Sequence, residues 1–115
     1  MSTSQVSEHA LQKTIVQCLR VNGCYVICTD VSCGSGYLSG TRKQRFLNHI
    51  RALGFTKGQP DLVVLHPDKG VFLVELKTTV GRLSQEQKDI QEWCKEHKIK
   101  HMVWRTLEDC LNWVG

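Results

Sequence analysis

No stretch of this chain approaches the roughly 18 consecutive apolar residues that cross a bilayer, and its first residues, MSTSQVSEHALQK, contain no apolar core of a secretory leader. The sequence also contains no C-x-x-C pair, no internal repeat and no low-complexity tract. At 115 residues and 13.1 kDa it leaves no room for a second hydrophobic core, so a single domain over residues 1–115 is expected. These absences argue against a membrane-spanning or secreted protein and against a repeat architecture. Cytoplasmic residence follows as the expectation, with cysteines 18, 24, 28, 33, 94 and 110 as free thiols of a reducing interior. A structural zinc at Cys24, Cys28 and Cys33 is the alternative. Their separations of three and four residues, however, do not match a zinc knuckle. Net charge is only +4, a mild basic bias compatible with a polyanionic partner.

What is present alternates helix with strand. Leu11, Ile15, Cys18 and Leu19 fall on one face of a helix over 5–21, which Gly23 ends. CYVICT, residues 24–29, is β-prone, and residues 30–40 are rich in Gly and Ser, as in a loop. TRKQRFLNHIRAL, 41–53, reads as a second amphipathic helix. Phe46, Leu47, Ile50 and Leu53 are expected inward, with Arg42, Lys43, Arg45 and Arg51 outward. Two strands follow over 61–65 and 71–77, joined by His-Pro-Asp-Lys-Gly. A third helix opens at Ser84 with Ile90, Trp93 and Cys94 as its apolar stripe; a strand over 100–105 and a closing helix over 107–114 complete the chain. Strands apolar on both faces among helices predict an α/β fold with the sheet covered on both sides.

The paired strands carry Asp61, Glu75 and Lys77 inside their apolar runs. Charged groups are seldom buried there unless something pairs them. Glu75 and Lys77 share a strand face. If His66 to Gly70 form the turn, Leu65 faces Val71 and Asp61 faces Glu75, so all three side chains share that face; a slip of one residue would separate them. This register also gives Gly70 the left-handed position of a bulged turn. At about 4 Å and an effective dielectric of roughly 20, two carboxylates repel by about 4 kcal/mol. A proton on one of them or a divalent cation between them removes that repulsion. Hard oxygen donors of this kind suit Mg²⁺ or Mn²⁺, and Lys77 would then be a point charge beside the reacting groups. The competing reading is an ion pair of Lys77 with a carboxylate at a sheet edge.

Two further residues bear on that choice. Glu8 precedes Leu11, Ile15 and Leu19 by three, seven and eleven residues, so it lies on the apolar stripe of the first helix. It is either a partner in a site or a first-turn glutamate favoured by the helix dipole. Gln87, three residues after Ser84, fits a capping box. It also lies on the stripe with Ile90 and Trp93, aimed at the sheet.

Gly58-Gln59-Pro60-Asp61-Leu62, then Val74-Glu75-Leu76-Lys77, then Gly81-Arg82-Leu83-Ser84 with Gln87, resemble the VRR-NUC (virus-type replication-repair nuclease) domain, a branch of the PD-(D/E)XK nucleases. The resemblance spans nearly the whole chain. It implies a restriction-endonuclease-like fold, a mixed central sheet flanked by helices in an αβββαβ core, with an extra helix between the first two strands. It further implies metal-dependent hydrolysis of DNA phosphodiesters, with Mg²⁺ or Mn²⁺ and no organic cofactor. Asp61 and Glu75 would be the central metal ligands, joined by the Leu76 carbonyl and by Glu8. Lys77 would orient or deprotonate the attacking water, and Gln87 would help position the site. Small relatives of this type resemble Holliday-junction resolvases, which work as homodimers. Branched DNA is therefore the expected substrate and a second copy the expected partner, in a phage or bacterial setting, with the domain recognising its own DNA. Trp104, Leu107, Leu111 and Trp113 are candidates for the dimer interface or for the core. Arg42, Lys43, Arg45, Arg51 and Lys57 are candidate phosphate contacts, as are Arg82 and Lys88 beside the site; each is otherwise a solvated surface charge. A nuclease of flaps or single-strand ends is the alternative within the same chemistry. A non-catalytic nucleic-acid-binding module is the alternative outside it, against which the intact Asp61, Glu75 and Lys77 speak.

Overall fold

Helix α1, Glu8–Val21, starts at Ser7, whose hydroxyl accepts from the Ala10 amide at 3.1 Å, and turns Leu11, Ile15 and Leu19 into the core. In the computed structural model, which describes residues 7–29 and 39–114, it is followed by β1 (Tyr25–Cys28), α2 (Gly40–Ala52), β2 (Leu62–His66), β3 (Gly70–Leu76), α3 (Gln85–Glu96), β4 (His101–Trp104) and α4 (Leu107–Val114). The four strands form one mixed sheet in the order β1-β2-β3-β4. Both pairs involving β2 are antiparallel, and β3 runs parallel to β4 across the α3 crossover. This is the expected αβββαβ core with its extra helix after the first strand. Most of the loop expected over 30–40 lies outside the described residues, as does Cys33.

Strand alternation divides the sheet between two tasks. Leu62 and Val64 of β2, with Phe72, Val74 and Leu76 of β3, are fully buried on one face beneath α1 and α4. Trp104 and Cys110 close that core, and Leu107 and Trp113 pack against it. Phe72 and Trp113 have ring centroids 3.7 Å apart. Of the four C-terminal apolar residues read as interface or core, Trp104, Leu107 and Trp113 therefore belong to the core, and Leu111 is exposed. The other face carries Leu73 and Glu75 toward α3, where Cys94 is buried.

The β2–β3 register pairs Leu65 with Val71, as the sequence predicts, and Gly70 has φ +80°. The turn is shorter than expected because His66 and Gly70 themselves pair. The His66 Nδ1 accepts from the amides of Asp68 and Lys69, both at 3.0 Å, and seals it.

Two expectations fail. Leu53 is not inward: it is 74% exposed, and no residue of α2 is buried, with Phe46, Leu47 and Ile50 only half-buried. The reason is that α2 packs on no other helix or strand among the described residues, so its apolar stripe faces no sheet. Trp93 is likewise 53% exposed rather than part of the inward stripe, and stacks on His97 at 4.1 Å between ring centroids. Helix α3 meets the sheet chiefly at β4, so one turn of its stripe overhangs the rim.

Gly58 has φ +84°, and a Cβ there would lie 2.7 Å from the Glu86 backbone. At Gly70 the same conformation faces open space. Gly70→Ala should therefore cost about 1 kcal/mol, the left-handed penalty alone. Gly58→Ala should cost clearly more, because a backbone must also move. Urea unfolding of the two variants beside the parent checks this ranking.

Candidate active site

The site is assembled where β2 begins and β3 ends. One step beyond the Leu62↔Val74 pair, Asp61 stands opposite Glu75. Pro60 has no amide to donate, so the ladder stops there, and the Leu76 amide donates to Asp61 Oδ2 at 2.7 Å. The preceding loop is held from both sides. Gln59 Nε2 donates to the Thr29 carbonyl at 2.9 Å while its Oε1 accepts from the Thr56 amide at 3.0 Å. The Thr29 amide donates to the Asp61 carbonyl at 2.9 Å, and the Thr29 hydroxyl donates to the Pro60 carbonyl. Gln59 and Thr29 thus fix Asp61 without belonging to the acidic set. Sequence reading had no role for them, although Gln59 stands inside the G-Q-P-D-L stretch.

Glu75 is 1% exposed, the only charged residue in the described core. Gln87 Nε2 donates to its Oε2 at 3.1 Å, while its Oε1 is buried without a hydrogen-bond partner. Gln87 also completes a capping box: its Oε1 accepts from the Ser84 amide at 2.8 Å, and its own amide donates to the Ser84 hydroxyl at 3.2 Å. Gln87 thus caps α3 and contacts Glu75 at once, because one side-chain amide has a donor and an acceptor to share. Gly58 makes this possible, since its bare backbone lets the Asp61 loop lie directly on the first turn of α3.

Glu8, in the first turn of α1, completes the group. One carboxylate oxygen each of Glu8, Asp61 and Glu75 lies within 4.8 Å of the other two. Among the described residues this is the one set of three or more such ligands that could hold a metal ion. Glu8 is thus a first-turn acid of α1 and also one of the three clustered carboxylates. Lys77 follows Glu75 by two residues at the end of β3 and is half-buried, its amide donating to the Trp104 carbonyl at 3.1 Å.

Burial is the main reason the Glu75 carboxyl is pushed up to about 9; the neighbouring Asp61 carboxyl adds to the rise, Lys77 opposes it, and Glu8 raises it further. With every carboxylate ionised, Glu75 would lie beside the negative charge of Asp61 and Glu8. A proton resolves this, and so does a cation. Three hard oxygen donors converging on a buried orphan acceptor fit Mg²⁺ or Mn²⁺, whose opposite ligands stand about 4 Å apart.

The candidate nucleic-acid contacts lie elsewhere. Arg42, Lys43, Arg45 and Arg51 are exposed on α2, and Arg82 and Lys88 are exposed before and on α3. Lys57 is paired with Glu86 at 3.1 Å, so part of its charge is already matched.

A family model described as the VRR-NUC domain matches residues 2–106. The chain belongs to the VRR-NUC family. A solved structure titled "VRR_NUC domain" superposes with a TM-score of 0.65 at 18% identity, covering 93% of this chain and 92% of that one. At that identity the likeness establishes the fold, a restriction-endonuclease-like one. No curated protein matches the sequence significantly. A VRR-NUC chain is a nuclease-type domain, which implies DNA as its substrate. No described helix is long and apolar enough to cross a membrane.

The raised Glu75 carboxyl has a signed consequence. Between its unfolded value of 4.5 and its folded value of about 9, the folded chain binds a proton that the unfolded chain has released. Metal-free stability should therefore fall as pH rises through that window. Mn²⁺ should flatten the slope by replacing the proton. Glu75→Gln, which keeps an acceptor for Gln87 and never ionises, should be more stable than the parent at pH 8 without metal and should gain little from Mn²⁺. Thermal melts across pH, with and without Mn²⁺, test all three expectations.

Proposed function

We propose that this VRR-NUC chain is a divalent-metal-dependent endonuclease that hydrolyses phosphodiester bonds in branched DNA, with residues 1–115 as one nuclease domain. The observation that carries the reading is the meeting of Glu8, Asp61 and Glu75, with Glu75 buried and one of its oxygens lacking a donor. A purely structural role would hardly place three acids together in a part of the fold where each raises the energy of the others.

In this reading the carboxylates of Glu8, Asp61 and Glu75, with the Leu76 carbonyl, hold Mg²⁺ or Mn²⁺. When bound, the cation neutralises charge on the phosphate and acidifies water. Gln87 occupies one oxygen of Glu75 with its side-chain amide and leaves the other without a donor. The Asp61 carboxylate is oriented by the Leu76 amide. Lys77 brings an ammonium to the same end of β3, where it orients the attacking water and stabilises charge developing on the phosphoryl oxygens. The oxygen of water bonds to phosphorus as the bond to the leaving oxygen breaks; the attacking water gives one proton to bulk solvent, and the leaving oxygen takes one from solvent to become a hydroxyl.

A four-way junction is the preferred substrate and a homodimer the working form, acting in the cytoplasm. Two symmetric incisions across such a junction suit two sites related by a two-fold axis. Exposed basic residues on α2, with Arg82 and Lys88, supply phosphate contacts that set affinity rather than chemistry.

The deciding experiment incubates labelled four-way junction, 5′ flap, 3′ flap and plain duplex with Mg²⁺ or Mn²⁺. Paired nicks in the junction are expected. A flap cut at least as fast as the junction favours the flap or single-strand-end nuclease. Every branched substrate left whole in Mn²⁺ favours a binding module without catalysis. Asp61→Asn and Glu75→Gln should each lower cleavage more than about a hundredfold while junction binding in a gel-shift assay stays close to that of the parent.

A further inference from the structure

The turn that follows Lys77 is held from behind by another strand. Gly81 closes it, its amide donating to the Thr78 carbonyl at 3.1 Å. Arg105, the residue after β4, places Nη1 2.8 Å from the Thr78 carbonyl and 2.5 Å from that of Gly81. One guanidinium nitrogen thus ties both ends of the turn. The backbone of Arg105 is itself pinned: Asp109 Oδ2 accepts from the amides of Arg105 at 2.8 Å and Thr106 at 3.2 Å, and the Thr106 hydroxyl accepts from the Asp109 amide at 3.3 Å. This reciprocal cap opens α4. On its near side the turn lies against the lysine stem. A Cβ at Gly81 would stand 3.4 Å from Lys77 Cδ and 3.1 Å from the Thr78 hydroxyl oxygen.

We infer that Arg105 is a positioning residue for Lys77. It holds the Thr78–Gly81 turn against the aliphatic stem and so fixes where the ammonium sits, touching neither substrate nor metal. A free lysine side chain samples many rotamers, and a wall along its stem removes part of that freedom before substrate binds. Arginine suits the task because its charge is permanent and the two N–H groups of a single Nη1 can serve the two carbonyls. The inference rests on the role proposed above for Lys77 in cleavage. Its rival is that Arg105 merely stabilises the turn as local structure.

A double-mutant cycle separates the two. Single-turnover cleavage of the junction in Mn²⁺ is measured for the parent, Arg105→Gln, Lys77→Met and the double variant, with DNA dependence recorded for each. Arg105→Gln should slow cleavage about ten- to a hundredfold with little change in half-saturating DNA. On the Lys77→Met background it should add less than about twofold. Losses that multiply would overturn the inference. Arg105→Lys should recover part of the rate. Gly81→Ala, which crowds the same stem without removing the guanidinium, should show the same non-additivity and serves if Arg105→Gln does not fold. A parent that cuts no DNA refutes the nuclease reading instead. The clamp is then judged by reductive ¹³C-methylation, with the Lys77 resonance assigned by its loss in Lys77→Met. That resonance should stand apart from those of exposed lysines in the parent and move among them in Arg105→Gln; an unmoved resonance overturns the clamp.

Discussion

The fold depends on one conflict: a carboxyl group sealed inside a strand pair with a second carboxyl directly across from it. Glu75 has almost no contact with solvent, and Asp61 stands one step past the last regular β2–β3 pair. Glu8 adds a third acid from α1. Ionised together, these groups would repel at close range in a poorly solvated place, which is why Glu75 keeps its proton far above the ordinary carboxylate range. The ladder, the capping of α3 and the approach of α1 all serve to hold this arrangement in place. Such a site costs stability in the metal-free chain, and the rest of the molecule must offset it.

That offset comes from the same strand. Phe72, Val74 and Leu76 alternate with Leu73 and Glu75, so β3 anchors the hydrophobic core with one face and presents the acid with the other. The core face is covered by α1 and α4 through Leu11, Ile15, Leu19, Cys110 and the Phe72–Trp113–Trp104 ring cluster. The site face needs only the first turn of α3, delivered by the close contact of Gly58 with Glu86. Because a strand's two faces share one backbone, packing on the core side also restrains the backbone that carries Glu75.

This linkage also explains what could be read from the residues alone. Period-two alternation narrows the register to two choices, and a turn drawn from His66 to Gly70 selects the one that puts Asp61 opposite Glu75. The observed Leu65↔Val71 pair bears this out, although His66 and Gly70 also pair. Gln87 and Glu8 each admit two readings because an amide has two ends and a first-turn acid has two neighbours. Gln87 caps α3 while it touches Glu75, and Glu8 opens α1 while it stands beside Asp61 and Glu75. Leu53 and Trp93 were misplaced for a different reason. An amphipathic stripe shows which side of a helix is apolar, but not whether the rest of the chain reaches that side. Gln59, Thr29 and Arg105 escaped notice because they act through backbone carbonyls and amides, which look alike at every position in a sequence. Side chains that position other side chains leave no compositional mark.

The distribution of positive charge follows the same division of labour. Arg42, Lys43, Arg45 and Arg51 stand on α2, which packs on no other described element, whereas Lys77 is half-buried and hemmed in by Gly81. A cation that must meet a phosphate at one defined point needs a confined stem. Cations that only raise the local concentration of a polyanion work from an exposed surface, where each contributes through counterion release and none needs a fixed rotamer. Arg105 belongs to neither group: its charge is directed inward onto two carbonyls of the turn. Its guanidinium therefore braces the turn that follows Lys77, although sequence alone does not distinguish it from a surface cation.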